Sequence, residues 1–277
     1  MSNALGKTVL TLMAVSISLI FLLPILWLMA SALRPVAETF AGGANVDWYT
    51  IIPRQWTLEN FQSALDKGFL RNLFNSLLVA GISVVLGLAI SAMAAFALAV
   101  IRFPGRKPVF TAIVLSFLVP FEAIAIPLAR NMADWGLTNT VTALILPGLG
   151  NGLAVFILRQ FFLGVPYSLA EAAHMDGAGW WRIFWMIYLP LCRPALIGAG
   201  LILFLFQWQA YMWPILVVSQ ENLDLAPVSI AKSFGAFSTD YGSVFAQTTA
   251  LALIPEGVLL VLQRYFVTSI ASSGSKE

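Results

Sequence analysis

Long apolar runs recur along the chain, and polar connectors marked by Pro and Gly separate them. A hydrocarbon core about 30 Å thick is crossed by a helix of about twenty apolar residues, so each run predicts a membrane span. The first run follows Lys7 and is too long for the apolar part of a signal peptide, so we interpret it as a retained span. The six predicted spans cover residues 9–32, 73–100, 109–129, 140–163, 194–218 and 244–267.

Composition supports a single α-helical membrane domain over residues 1–277. The chain is 60% hydrophobic and 10% charged, whereas soluble domains carry about 25% charged residues. A net charge of +2 with scattered basic residues excludes the clustered footprint of a nucleic-acid-binding protein. One cysteine, Cys192, and one histidine, His174, cannot build a zinc site or a disulfide framework within the chain. We therefore expect no metal site and no catalytic residue.

The distribution of Lys and Arg predicts the orientation, because basic residues favour the cytoplasmic side. An even number of spans places both termini on one side, and with cytoplasmic termini nine of the fifteen basic residues lie inside. The compact basic stretch 102–107 between two spans is the best single marker of the orientation. The predicted inner residues are Lys7, Arg102, Arg106, Lys107, Arg159, Arg182, Arg193, Arg264 and Lys276.

The predicted inner connector 164–193 is patterned like a structured segment. Ser168 and Glu171 fit a capping box at a helix start, and Gly177 is placed to end that helix. A second short helix, 178–188, would direct Trp181, Phe184, Trp185 and Tyr188 toward the membrane interface before Pro190 stops it. The first helix, small-sided and alanine-rich, is either a knob that enters a groove on a partner or an interfacial helix lying on lipid headgroups.

Several polar residues lie inside the predicted spans, where they are costly unless they are paired or face water. Glu122 and Glu256 adjoin Pro120 and Pro255, and each either lines a solute path or is a hydrogen-bonded structural acid. Amides and aromatic rings in the fifth span form either a pocket suited to sugars or an aromatic belt at the interface. The solute-path candidates are Glu122, Asn151, Gln207, Trp208, Gln209, Tyr211 and Gln247.

An ordered motif in connector 164–193 carries a family resemblance. Glu171-Ala-Ala-His-Met-Asp176-Gly177-Ala178, followed by Leu189-Pro190-Leu191 and Arg193-Pro194-Ala195, resembles the EAA loop of ABC-importer permeases. Further agreement, closest to the maltose-type carbohydrate-uptake subfamily, comes from Asn75-Ser76-Leu77, Phe103-Pro-Gly-Arg106 and Gly136-Leu-Thr-Asn139-Thr140. Where that family commonly reads Trp-Asn-Asp/Glu, this chain has Trp208-Gln209-Ala210, so no solute contact carries over at this point.

The resemblance implies a type I ABC importer permease fold with six transmembrane helices and a cytoplasmic coupling helix. It implies that Glu171, Ala172, Ala173, Asp176 and Gly177 dock on a separate ATPase, which binds ATP and Mg while this chain binds no cofactor. It also implies a second permease subunit, two ATPase subunits and an extracytoplasmic solute-binding protein in a bacterial or archaeal cytoplasmic membrane. The expected function is to form half of the pore for a sugar-like solute. The alternative is a secondary transporter driven by an ion gradient through Glu122 and Glu256.

Overall fold

The computed structural model describes residues 2–41, 48–50, 52–235 and 239–273, and helices make up most of these residues. Lys276, counted above among the inner basic residues, lies outside the described residues. The α-helices are α1 (Ser2–Ala32), α2 (Val36–Ala41), α3 (Glu59–Asp66), α4 (Phe69–Ala99), α5 (Arg106–Phe117), α6 (Phe121–Asp134), α7 (Val141–Ile145), α8 (Gly152–Leu163), α9 (Ser168–Met175), α10 (Trp180–Ile183), α11 (Leu189–Leu191), α12 (Arg193–Trp208), α13 (Met212–Val217), α14 (Ala226–Lys232) and α15 (Tyr241–Ser273).

Three helical segments are long and apolar enough to cross a membrane by themselves. They are Gly6–Ala32, Phe69–Ala99 and Tyr241–Gln263, which overlap the first, second and sixth predicted spans. Three further pairs of helices pass the same test only together, because each pair is bent at a short break. The described chain therefore has three spans by length and composition, or six if each bent pair crosses once. The bent pairs are α5 with α6 (97°), Val141–Leu149 with α8 (43°), and Trp180–Leu191 with α12 (84°).

Proline explains where the third predicted span breaks. Pro120 has no N–H to donate to the carbonyl of Ser116, and its ψ of 132° leaves the helical region. The chain therefore leaves α5 at Phe117 and restarts as α6 at Phe121. By contrast, Pro24 and Pro255 lie inside α1 and α15, which continue through them.

The fifth predicted span, 194–218, is not one helix. α12 ends at Trp208, and a short separate helix, α13, begins at Met212. Pro214 lacks the N–H that a continuous helix would donate to the Ala210 carbonyl, and its ring would clash with that carbonyl. Instead the Ala210 N–H bonds back to the Gln207 carbonyl at 3.3 Å. The span is therefore broken by an irregular turn between α12 and α13.

The chain divides into two compact units: a first unit of residues 1–71 and 229–254, and a second unit of residues 72–228 and 255–277. Two clusters of buried side chains organise the second unit. The aromatic cluster contains Phe96, Phe162, Phe184 and Tyr188 with the neighbouring Trp180. The Trp213 cluster contains Val79, Met132, Leu144, Trp213 and Leu225.

Polar side chains hold the segment that follows α1 in the first unit. Buried Arg34 donates to the carbonyls of Ala30 at 3.1 Å and Tyr49 at 2.8 Å. The Asn60 amide donates to the carbonyls of Ala32 and Arg34 at 3.0 and 2.8 Å. These side chains satisfy backbone groups that the irregular segment after α1 leaves without helical partners.

Candidate functional sites

The helix predicted to dock on a partner is present as α9, and it is seated by one face. Ala170 is completely buried against the aromatic cluster, and Ala173 is half-buried there. Glu171, Ala172 and Asp176 are exposed, and Met175 is 88% exposed at the end of the helix. α9 therefore presents a narrow surface of small and acidic side chains with one apolar side chain at its end.

The end of α9 is fixed by its backbone. Gly177 has φ +77°, a left-handed conformation that a Cβ disfavours. Its N–H bonds to the His174 carbonyl at 2.9 Å, and the Ala178 N–H bonds to the Ala173 carbonyl at 2.9 Å. This pair of bonds is the Schellman motif that ends helices at glycine. The prediction that Gly177 ends the helix is confirmed.

The predicted capping box at the start of α9 is wrong. Ser168 is the first residue of the helix, and Tyr167, the residue before it, makes no side-chain cap. The Tyr167 carbonyl instead accepts from the N–H groups of Ala170 and Glu171 at 2.9 and 3.1 Å. The Pro166 carbonyl also accepts from the Leu169 N–H at 3.1 Å, so backbone carbonyls rather than side chains bond the first N–H groups of the helix.

Pro190 does not stop the second helix of the connector. The helical stretch runs from Trp180 to Leu191 and contains a π-helical turn at Phe184–Tyr188. A π turn shifts the hydrogen-bond register, and such turns often accompany an interruption of the helical ladder like the one that Pro190 makes. Helix α12 then begins at Arg193 after an 84° bend.

The prediction for the four aromatic residues of this helix is half right. Trp181 and Trp185 are exposed, at 63% and 53%, as a side chain directed to a membrane interface should be. Phe184 and Tyr188 are buried instead, and both contact Phe96 with ring centroids 5.2 and 5.1 Å apart. The helix therefore covers the aromatic cluster that seats α9.

Two solute-path candidates lie at the backbone where the fourth predicted span breaks. Gln207 donates to the Leu144 carbonyl at 3.4 Å, and its Oε1 lies 2.9 Å from the point where a Cβ on Gly148 would be. Asn151 caps α8, since its Oδ1 accepts from the Ala154 N–H at 2.9 Å. The Gln207 amide thus packs directly against the irregular backbone between α7 and α8.

The remaining candidates of the fifth span lie at the break after α12. Trp208 is buried and stacked on Phe204 at 5.4 Å, which is a packing role. Gln209 and Tyr211 are exposed. Trp213, two residues further, donates to the Ala143 carbonyl at 2.9 Å and packs edge-on against Phe121 at 5.8 Å. The breaks of the third and fifth spans therefore meet at Trp213.

Glu122 follows Phe121 in the first turn of α6 and is exposed. The amino end of a helix favours a carboxylate, because its free N–H groups give it a partial positive charge. Glu256 is half-buried within α15. Gln247 belongs to the first unit, where it is buried and donates to Ser243 Oγ at 3.0 Å. The structure thus places Glu122 near the breaks, and it places Gln247 in a hydrogen-bonded core.

Asp240, in the connector before the sixth predicted span, carries a shifted pKa. Partial burial raises the pKa of its carboxyl group, but hydrogen bonds from Lys67, the Ser243 N–H and Ser63, with the charge on Lys67, hold the pKa below its ordinary value. The Lys67 Nζ lies 2.7 Å from Asp240 Oδ2, and the Ser63 hydroxyl lies 2.8 Å from the same oxygen. These contacts tie the end of α3 to the turn before α15.

Sequence reasoning missed the role of Phe96. This ring contacts Phe162, Trp180, Phe184 and Tyr188, with centroids 5.1 to 6.4 Å apart. Nothing distinguishes Phe96 from the other apolar residues of its span, so the sequence contains no signal for it.

The chain matches the family described as binding-protein-dependent transport system inner membrane component over residues 87–271. It is 31% identical over 278 residues to the arabinooligosaccharides transport system permease protein AraQ of Bacillus subtilis, covering 98% of this chain and 96% of that protein. It is 33% identical over 234 residues to the sn-glycerol-3-phosphate transport system permease protein UgpE of Yersinia enterocolitica, covering 81% of this chain and 83% of that one.

The fold is similar to that of a solved bacterial ABC transporter involved in the import of the acidic polysaccharide alginate. The TM-score is 0.81 at 23% identity, with 96% of this chain and 98% of that chain covered. This similarity confirms the predicted permease fold. Together with the family match, it also decides against the secondary transporter. The chain belongs to the family of binding-protein-dependent transport system inner membrane components and is the permease subunit of an ABC importer, a transport component rather than an enzyme.

Proposed function

We propose that this permease subunit imports a sugar or a sugar-derived solute and is driven through α9 by a separate ATPase. The observation that carries the coupling is the exposure pattern of α9. One face is buried in the aromatic cluster through Ala170, and Glu171, Ala172, Met175 and Asp176 stand outward. A helix seated in this way moves with the helices beneath it, so a force on its exposed face reaches the spans.

The proposed partners are two ATPase subunits that bind ATP and Mg, a second permease subunit and an extracytoplasmic solute-binding protein. The family description names dependence on a binding protein. The proposed orientation has both termini in the cytoplasm, which places α9 on the ATPase side. Glu171, Ala172, Ala173, Asp176 and Gly177 form the proposed docking element.

The proposed solute path follows the three broken spans. Irregular backbone at membrane depth is tolerated where it is covered by protein or faces a water-filled cavity, and transporters use such breaks to hold solutes. Glu122, Gln209 and Tyr211 are exposed around the break at Trp213, and Gln207 and Asn151 lie at the break of the fourth span. Carboxylate, amide and aromatic groups together match the hydroxyls and apolar faces of a sugar.

The relatives support a sugar-derived solute and leave its identity open. AraQ is named for arabinooligosaccharides and UgpE for sn-glycerol-3-phosphate. Both classes carry free hydroxyl groups, which is the chemistry that the path candidates can bind.

Cysteine cross-linking tests the coupling directly. Cys192 is the single cysteine and is buried, so Cys192→Ser gives a background for one introduced thiol. Ala172→Cys should cross-link to the ATPase subunit in native membranes. Trp135→Cys is the control, because Trp135 is exposed on a predicted outer connector. Cross-linking of Trp135→Cys but not of Ala172→Cys would refute the proposed docking.

The solute is tested with the assembled importer and its binding protein in lipid nanodiscs. ATPase activity is measured with a panel of arabinose oligosaccharides, disaccharides, polyols and glycerol phosphates, and one class should stimulate it. Gln209→Ala and Glu122→Ala should then change the half-saturating solute concentration or the transport rate. The control is Gln62→Ala, at an exposed residue of α3 outside the proposed path. Stimulation by none of these solutes would overturn the sugar assignment.

A further inference from the structure

Two arginine side chains bind the carboxyl end of α4. Arg159 of α8 donates through Nε to the Leu98 carbonyl at 3.0 Å, and Arg106 of α5 donates through Nη1 to the Ile101 carbonyl at 3.3 Å. The two carbonyls are three residues apart, and the charges of the two arginines act on each other. The end of a helix carries about half a negative charge. That partial charge accounts for one arginine at this place and does not balance two.

Two further basic residues lie in the same short stretch, and both are exposed. Among the residues that the structure describes, the one ion pair joins Lys67 to Asp240, so no carboxylate of the described chain pairs with these four basic groups. Each guanidinium has five N–H donors, and the bonds to α4 use one in each. The four side chains therefore have both the charge and the donors to bind an anion. We name them the basic cluster: Arg102, Arg106, Lys107 and Arg159.

Apolar rings pack directly against the basic cluster. The Cζ atom of Arg159 lies 4.0 Å from the centroid of the Phe110 ring, and Phe110 stacks on Phe156 at 6.2 Å with an angle of 15° between the rings. Phe156 is 39% exposed and Val109 is 46% exposed. Arginine buries its aliphatic stem along apolar surface and keeps its charged group at the polar boundary. This surface therefore joins a charged part to an exposed apolar part.

The charged part is ordered as well as basic. The Cζ atom of Arg102 lies 5.1 Å from the centroid of the Tyr167 ring, and the Tyr167 carbonyl accepts from the N–H groups in the first turn of α9. Three of the four cluster members thus contact a ring or a backbone carbonyl. Side chains that are already positioned lose less conformational entropy when they bind a ligand.

The ends of two helices place the basic cluster at the boundary of the membrane. α4 ends at Ala99 and α5 begins at Arg106, and both helices belong to membrane-spanning segments. Phospholipid phosphates lie at this level, and arginine binds a phosphate through two parallel N–H bonds. A free anion would be attracted by the charges and would gain nothing from the exposed rings. A lipid with an anionic headgroup matches both parts of the surface.

We propose that the basic cluster is a binding site for an anionic phospholipid, with the phosphate held by the four basic side chains and the acyl chains lying along Val109 and Phe156. Each Lys or Arg next to a membrane strengthens the attraction of anionic lipid about fivefold. The site goes beyond the proposed function, since it concerns the lipid and neither the solute nor the ATPase. Its test can therefore fail while the proposed function stands.

The test measures which lipid lies next to the basic cluster in the assembled importer. Val109→Cys in the Cys192→Ser background carries a fluorescent label, and the other subunits lack cysteine. The nanodiscs contain the same fraction of brominated phosphatidylglycerol or brominated phosphatidylcholine, and bromine quenches the label when that lipid lies beside it. We expect phosphatidylglycerol to bind at least about tenfold more strongly than phosphatidylcholine. Equal binding of the two lipids would overturn the site.

Exposed members of the basic cluster provide the variant. Arg102→Gln combined with Lys107→Gln should reduce the preference for phosphatidylglycerol at least about fivefold. If this double variant fails to assemble, Lys107→Gln alone should reduce the preference about fivefold. An unchanged preference in the variant that assembles would overturn the role of these side chains.

Two controls separate this site from general attraction of charge. Arg182→Gln removes another exposed positive charge on the predicted inner side and should keep the preference. An equal loss in Arg182→Gln would show that surface charge as a whole attracts the lipid, and it would overturn the site. Excess inorganic phosphate should leave the quenching unchanged, and relief of quenching would identify a free anion as the ligand instead. Solute-stimulated ATPase activity of the wild type in the same nanodiscs tests the proposed function independently.

Discussion

The two ends of the second unit are stabilised by different chemistry. At the α9 end, aromatic and aliphatic side chains pack around Phe96, and the exposed helix rests on them through Ala170. At the opposite end of α4, side-chain amides and hydroxyls hold the irregular loop between α13 and α14 through Asn75, Ser76 and Asn139. A helix forms the hydrogen bonds of its backbone internally, so the packing of its side chains is enough to position it. A loop does not, so its backbone groups need partners.

The contrast bears on what each end can tolerate. Close-packed rings lose stability in proportion to the volume removed, whereas a hydrogen-bonded loop loses it when a buried donor is left without an acceptor. Substitutions at the two ends should therefore differ in how much they lower the free energy of unfolding. They should also differ in which replacement side chain restores it.

The largest effect is expected at Phe96. Phe96→Ala removes a ring that contacts four others and should lower the free energy of unfolding by about 3–5 kcal/mol. The same variant should lose ATPase coupling, because α9 loses its support. Thermal unfolding of the assembled importer and ATPase assays measure both effects. The control Phe206→Ala, at a residue 59% exposed, should change little; equal losses in both variants would contradict the aromatic cluster as the support of α9.

A smaller effect is expected where α4 holds the loop. Ser76→Ala removes the acceptor of the buried Ala226 N–H and should cost about 1–3 kcal/mol. Ser91→Ala is a matched control on the same helix, since Ser91 is equally buried but its Oγ has no hydrogen-bond partner among the described residues. Thermal unfolding should separate the two variants. Similar melting temperatures for both would show that the hydrogen bond contributes nothing.

Substitution at the end of α9 should lower the stability less than the two changes above. A Cβ at Gly177 meets no atom within 4 Å, so Gly177→Ala costs only the left-handed strain, about 1 kcal/mol. Gly179→Ala provides the comparison, because Gly179 is equally open but has φ −75°. Gly179→Ala should leave the melting temperature unchanged and Gly177→Ala should lower it. The reverse order would contradict the left-handed end of the helix.

The smallest effect is expected at Asp240, on the predicted outer side of the first unit. Its pKa is lowered in the folded state, so its contribution is complete above the ordinary carboxyl pKa of about 3.9 and is lost as the pH falls through the lowered value. Because the Lys67–Asp240 pair is partly exposed, the contribution should stay below about 1 kcal/mol.

Asp240→Asn measures that contribution. The variant should unfold slightly more easily than wild type at pH 7, and the difference should disappear as the pH falls through the lowered pKa of the wild-type carboxyl, because that group then also becomes neutral. Asp66→Asn, at an exposed residue of α3, serves as the control and should show no difference at either pH. A difference for Asp240→Asn that persists at low pH would point to a cause other than the charge.

The sequence predicted the permease fold and the docking helix because their signals are local or periodic. Apolar runs mark the spans, and the ordered motif from Glu171 to Ala178 marks α9. The breaks were harder to place: Pro120 and Pro255 looked alike in the sequence, but only Pro120 of the two interrupts its helix, and the effect of Pro214 on the fifth span was missed. A proline inside an apolar run can be absorbed, as at Pro255, or can end the helix, and the surrounding packing decides which.

The contacts of Asn139 and Phe96 could not be predicted from the sequence, for a different reason. Asn139 contacts residues about eighty positions away, and Phe96 contacts rings from 66 to 92 positions away. Such pairings depend on the completed fold rather than on local pattern. The one local signal was the Gly136-Leu-Thr-Asn139 turn, which favours an asparagine with positive φ but does not reveal its partner.

Helix α4 runs without a break between the two ends of the second unit, and this gives it the mechanics of a lever. A rigid rod transmits an angle, so a tilt of 10° about Phe96 would carry Asn75 sideways by about 5–6 Å. A displacement of that size equals about one helical turn. A tilt of α4 that starts at one end would therefore displace the other end by several ångströms. A displacement of that size is large enough to change the contacts of that end with a partner.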